Sequence, residues 1–203
     1  MHLLAATPGS ITDGSEAVDL GQTPGDIVIL SAADTELAGL AQARAGLDGD
    51  VPVLRLANLM QLGHNLSVDL YVDDIVSAAK LVIVRLLGGA GYWPYGLERV
   101  VACCRSRHIP FAVIPGDDQP DPELAALCSL PPSDWQRIWQ YLVHGGAGNM
   151  PRCCATVRRS SVTTRTGPSR RRWCARVSTG RDKPRPISTR CARLGRTARR
   201  WPR

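Results

Sequence analysis

Four short, nearly unbroken apolar runs constrain this chain more than anything else in it: DIVILSA (26–32), VPVLRLA (51–57), KLVIVRLLG (80–88) and PFAVIPG (110–116). Each is seven to nine residues long and rich in valine, isoleucine and leucine. Runs of that length without polar alternation mark strands that are covered on both faces. HLLAAT (2–7), ending at Pro8-Gly9, predicts another strand ahead of them.

Helical spacing fills the intervals. Asp34 is positioned to cap TELAGLAQARAGL, where Leu37, Leu40, Ala41 and Leu47 share a side, with Gly49 beyond its end. Ser67 is positioned to cap SVDLYVDDIVSAA, and GLERVVACCRSRH follows the 80–88 run. After the 110–116 run, DPELAALCSL and SDWQRIWQYLVHGG predict two more helices, capped by Asp121 and Ser133 and closed at Gly145. Strands separated by helices of about a dozen residues require right-handed crossovers. The expected architecture is α/β: an open, mostly parallel, doubly wound sheet with helices on both faces.

Charge divides the chain. Residues 1–150 hold 8 Lys/Arg against 17 Asp/Glu, whereas residues 151–203 hold 17 Lys/Arg and the single acid Asp182. The total of +7 therefore describes the tail, and phosphate partners, which a basic balance favours, concern the tail alone. Residues 151–203 contain five of Leu, Ile, Val and Phe, which cannot offset an ordering cost of about 1–2 kcal/mol per residue. The sequence thus predicts an α/β domain over 1–149 and a disordered, arginine-rich tail over 150–203, with Cys153, Cys154, Cys174 and Cys191 exposed. One reading of the tail is an arm that binds nucleic acid with steep salt dependence. The other is out-of-frame translation of a GC-rich gene. Back-translated with GC-rich codons and read from the third base of codon 171, the tail can yield a strand, a Pro-Gly turn and a capped helix.

The opening residues lack the basic flank and apolar length of a secretory signal, and no run approaches the ~20 apolar residues of a membrane span. The seven cysteines include two vicinal pairs and no CxxC, a poor pattern for zinc or for a disulfide framework. A reducing, cytoplasmic setting is expected.

Ligands of doubly wound sheets lie beyond the carboxyl ends of the strands. RLLGGAGYWPYG (85–96) is the most unusual loop there. Its glycines allow close backbone approach, and Tyr92, Trp93 and Tyr95 offer rings with polar handles. Ligand contact and packing on a neighbouring domain are both open. The loop is neither a dinucleotide fingerprint nor a P-loop, since Pro94 takes the third glycine position and no Gly-Lys-Ser/Thr follows. His64 is a candidate for proton or metal chemistry, or for a local hydrogen bond. Asp117 and Asp118 are candidates for a hard cation or for a solvated acidic turn. At least one of Cys103 and Cys104 should lie in the core; His108 suits a helix C-terminus and His144 a C-cap. No nucleophile–base set assembles, so no catalytic centre shows.

LLAATPGSI, DIVILSAADTELAGLA, LRLANLMQLGHNLSVDLYVD, VIVRLLGGAGYWPYGLE, PGDDQPDPELAAL and YLVHGGAGN together resemble the amino-terminal region of the cobaltochelatase large subunit, CobN type, a relative of the magnesium chelatase large subunit. The resemblance runs from about Met1 to Asn149. It implies a role in aerobic cobalamin biosynthesis: a subunit that binds a corrinoid tetrapyrrole and inserts Co2+ into hydrogenobyrinic acid a,c-diamide, with ATP hydrolysed by two partner subunits. It also implies that this chain is truncated relative to the family, lacks the regions expected to carry chelation and is inactive alone. No catalytic residue carries across.

Overall fold

The computed structural model describes residues 16–47 and 51–163. The expected strand at 2–7, Gly49, and the arginine-rich residues 164–203 lie outside them.

Among the described residues four strands form one parallel sheet: β1 (Ile27–Ser31), β2 (Leu54–Asn58), β3 (Leu81–Leu86) and β4 (Phe111–Pro115), in the order β2-β1-β3-β4. Ile29 of the central strand pairs in register with Leu56 on one side and Ile83 on the other. The helices are α1 (Asp34–Ala45), α2 (Asn65–Asp74), α3 (Pro94–Ser106), α4 (Pro122–Leu127), α5 (Pro132–His144) and α6 (Gly146–Thr163). The chain leaves β1 toward β2, then crosses back over β1 to β3 and on to β4. Right-handed crossovers therefore place α1 on one face and α2 and α3 on the other.

Side-chain alternation builds a core on each face. Val28, Leu30, Val82, Val84 and Val113 pack with α2 and α3 through Val68, Val72, Leu97, Val100 and Cys104. Ile27, Ile29, Leu81, Ile83 and Ile114 pack under α1, α5 and α6 through Leu40, Ile138, Leu142 and Cys153. The doubly wound architecture expected from the sequence is the one observed.

The last helix differs from expectation. α6 runs without interruption through position 149, and Met150, Cys153, Cys154, Thr156, Val157, Ser160 and Ser161 are buried. The expectation that nothing beyond Asn149 is buried, and that Cys153 and Cys154 are exposed, is corrected for residues 150–161. α1 and α5 leave a channel over β1 and β3, and α6 packs against both helices to fill it. Small cysteines suffice because the sheet already presents large residues there. Two successive glycines with positive φ, Gly145 (54°) and Gly146 (79°), turn the chain from α5 into α6.

Helix starts also shift. Asp121 caps α4 as expected, its carboxylate accepting from the Glu123 and Leu124 amides. Asp34 instead opens α1 after an Ala33 cap and accepts from Asn58 Nδ2 at 2.6 Å. α1 closes at Gly46, Pro131 precedes α5 where Ser133 was expected, and α2 is capped by His64. Ser67 lies inside α2, buried, where its hydroxyl accepts from the Val18 amide at 2.7 Å.

Candidate functional site

In this strand order the direction of winding reverses between β1 and β3, and the two loops leaving that point diverge to opposite faces. An ion pair between the protein's own side chains lies at this point. Arg85, opposite Ser31 in the β1–β3 register, forms an ion pair with Glu36 from the first turn of α1. Glu36 also accepts from the Ser31 hydroxyl at 2.7 Å, and Arg85 Nη2 donates to the Gly116 carbonyl at 2.8 Å. The two charged side chains are only 11% and 7% exposed. Cys153 of α6 feels both charges, and burial pushes its thiol up to about 12. The sequence reading missed this cluster; its signal was an arginine inside an otherwise apolar strand.

The open site lies beside it, where the segment after β2 meets the segment after β3. A cleft of about 530 Å3 is lined by Met60, Gly63 and Asn65 on one side and Tyr92, Pro94 and Tyr95 on the other. Local sequence shapes both walls. Asn58 ends β2 and accepts from the Met60 amide at 2.8 Å, starting a 3-10 turn over Leu59–Leu62. Next, His64 Nδ1 accepts from the Leu66 amide at 3.1 Å, starting α2. On the other wall Gly88 and Gly89 take φ of 90° and 77°, which L-residues rarely adopt, and so release the chain from β3.

The three aromatics do different work. Trp93 is 7% exposed, and its indole N–H donates to the Leu62 carbonyl at 2.9 Å, joining the two walls. Its ring lies on Gly96, where an added Cβ would overlap the indole at Cε2. That glycine makes room for the protein's own indole. The Tyr95 hydroxyl donates to Asp69 of α2 at 2.8 Å, and Arg99 Nε donates to the same carboxylate at 2.6 Å. These two bonds hold the Asp69 carboxyl below the usual carboxylate range, and the Asp69 bond pushes the Tyr95 phenol up. Tyr92 alone presents its ring to solvent, 40% exposed, with its hydroxyl 3.4 Å from Met60 Sδ.

The structure thus brings Tyr92, Trp93, Tyr95 and the His64 segment to one place, with Trp93 buried, Tyr95 half-buried and the His64 Nδ1 used as a cap. Asp117 and Asp118 are spent on their own turn, accepting from the amide and side chain of Gln119, while the Asp117 carbonyl accepts from Trp139 Nε1. Cys104 is buried, its thiol pushed up to about 12 by burial, and Cys103 is half-buried. His108 follows α3 with φ of 55°, and His144 is the last residue of α5. Among the described residues no group of three or more His, Cys, Asp or Glu side chains is arranged to hold a metal ion. No described helix is long and apolar enough to cross a membrane.

No protein-family model matches the chain. Aerobic cobaltochelatase subunit CobN from Sinorhizobium sp is 50% identical over 149 residues, 73% of this chain and 12% of that protein. The subunit of the same name from Pseudomonas aeruginosa is 46% identical over 159 residues, 77% of this chain and 13% of that protein. Among solved structures, the catalytic subunit of cobaltochelatase from Mycobacterium tuberculosis superposes with a TM-score of 0.54 at 25% identity, covering 68% of this chain and 10% of that one. Sequence and fold agree: about three quarters of the chain is homologous to a stretch of aerobic cobaltochelatase subunit CobN, of which the chain spans about an eighth.

Proposed function

We propose that this chain supplies one α/β unit of a CobN-type cobaltochelatase large subunit, acting in the cytoplasm with ATP-hydrolysing partner subunits that drive Co2+ into a corrinoid, hydrogenobyrinic acid a,c-diamide. The 50% identity over 149 residues carries this reading. The unit's part is architectural: it holds the segments after β2 and β3 in a fixed relation at the carboxyl ends of the strands. A chain with no P-loop leaves nucleotide hydrolysis to partners, and the described residues offer no cluster for metal.

The test replaces the matching stretch of the Pseudomonas aeruginosa subunit with the corresponding residues of this chain. Cobalt insertion in the presence of ATP, partner subunits and the corrinoid acid is expected to stay within about tenfold of the parent. A folded chimera without turnover would refute the reading. The 203-residue chain alone is expected to insert no cobalt under the same conditions; measurable insertion would place the chemistry within this segment.

A further inference from the structure

The two edges of the sheet are finished differently. On β4 the outward groups of Phe111 and Val113 meet Ser129, Cys128 and Trp135. On β2 the Ile27 amide donates to the Val53 carbonyl, so Val53, Arg55 and Ala57 turn their backbone groups toward β1, and Leu54 and Leu56 turn theirs outward. Gln22 Nε2 donates to the Leu56 carbonyl at 2.9 Å and Arg55 Nη1 to the Leu54 carbonyl at 3.4 Å. Among the described residues no group accepts from the Leu54 and Leu56 amides. An edge with open amides is a template for another strand.

Three observations name that strand. The first is where the described chain begins. Val18 donates its amide to the Ser67 hydroxyl in the first turn of α2, at the carboxyl ends of the strands. Residues 18–25 then return along β2 to Asp26, on the face that α2 covers: Gln22 accepts from the Tyr71 hydroxyl at 3.1 Å, and Arg55 Nη2 donates to Thr23 Oγ1 at 2.7 Å. Whatever precedes Glu16 therefore arrives at the carboxyl end of the open edge. The second is length. HLLAAT (2–7) has no Asp, Glu, Lys or Arg and is one residue longer than β2, and PGSITDGS (8–15) can span at most about 26–29 Å, ample for a turn. A strand that leaves by that end runs parallel to β2. The third is handedness. From such a strand to β1 the chain crosses the same face in the same direction as the connection from β2 through α2 to β3, which is the right-handed sense. Beyond β4 the same run would need the opposite hand and an edge already taken. Gln22 need not leave, because a carbonyl accepts two hydrogen bonds.

We infer that residues 2–7 add to the outer edge of β2 as a fifth, parallel strand, closing the edge through which two copies of this chain would otherwise pair. The inference stands apart from the proposed function.

Two measurements on the full 203-residue chain test it. In hydrogen–deuterium exchange the Leu54 and Leu56 amides are expected to be protected. Leu4→Pro with Ala5→Pro removes ladder donors whichever way the run faces; it is expected to speed exchange at Leu54 and Leu56 about tenfold or more and to leave Ile83 of β3 unchanged. Unprotected amides in the parent, or protection that survives the double substitution, overturns the inference. Should the double variant lose protection at Ile83 as well, the second measurement decides. There p-benzoylphenylalanine replaces Leu4 in an equal mixture of unlabelled and isotope-labelled chains, and the crosslinked peptides are identified by mass spectrometry. The expected product joins position 4 to residues 54–58 of the same chain. Links only to a second copy, links to residues 111–115, or no link at all each overturn the inference.

Discussion

Arg85 is a cation on a central strand, and it persists there because every neighbour answers it: Glu36 with charge, the Gly116 carbonyl with a hydrogen bond, and Ser31 by holding Glu36. Burying an ion costs several kcal/mol, so the pair tolerates loss of one member badly. Glu36→Ala is expected to destabilise the fold by about 3–5 kcal/mol in urea unfolding, and Arg85→Met with Glu36→Leu to restore most of that. A loss below about 1 kcal/mol for the single change would mean that the pair is solvated. Gly96 makes a second residue-level case. Gly96→Ala drives a methyl into the Trp93 ring and is expected to cost about 1–3 kcal/mol or more. The Trp93 indole N–H resonance should then move as its bond to Leu62 breaks; an unmoved resonance would show that the ring is not packed on Gly96.

At the scale of elements, two devices close the sheet. β4 is an edge strand whose outward groups are already taken. The Ser129 amide and hydroxyl serve Phe111, while the Cys128 thiol and the Trp135 indole serve Val113. Pro115 has no N–H to offer, so another strand finds little to pair with beyond β4. The second device is α6, whose Met150, Cys153 and Val157 cover β1 and β3 between α1 and α5. A chain ending at Asn149 exposes that face. It is expected to lose its cooperative thermal transition or to aggregate, whereas a chain ending at Thr163 retains the transition of the full chain. Equal melting behaviour of the two would show that α6 adds nothing beyond residue 149.

For the whole molecule, the link between α2 and α3 makes stability depend on pH. The folded pKa of Asp69 lies below its unfolded value, because Tyr95 and Arg99 donate to the carboxylate. Its contribution is therefore complete above the ordinary carboxylate pKa, near 4, and disappears as pH falls through the lower folded value. Tyr95 has the opposite sign: its folded pKa is raised, so its contribution is present below about 10 and is lost as pH rises through the folded value. Asp69→Asn should flatten the acid limb of the urea midpoint against pH and leave a smaller drop on the alkaline side. An acid limb as steep as the parent's would show that other carboxylates dominate.

Apolar periodicity is local, and so the order of β1 to β4 and of α1 to α5, the parallel sheet with two covered faces, and the concentration of unusual residues after β3 were legible along the chain. Cap positions were less so, because a histidine or an alanine served where serine and aspartate were expected. Three features needed the tertiary structure, for one physical reason: burial depends on neighbours distant in sequence. Residues 150–161 look too polar to pack, and Pro151 looks like a helix breaker, until α1 and α5 frame the channel that α6 fills. Arg85 looks like an interruption until Glu36, 49 positions away, neutralises it. Trp93 looks like an exposed ring until Leu62 and Gly96 draw it inward, leaving Tyr92 as the one aromatic of that loop that faces outward.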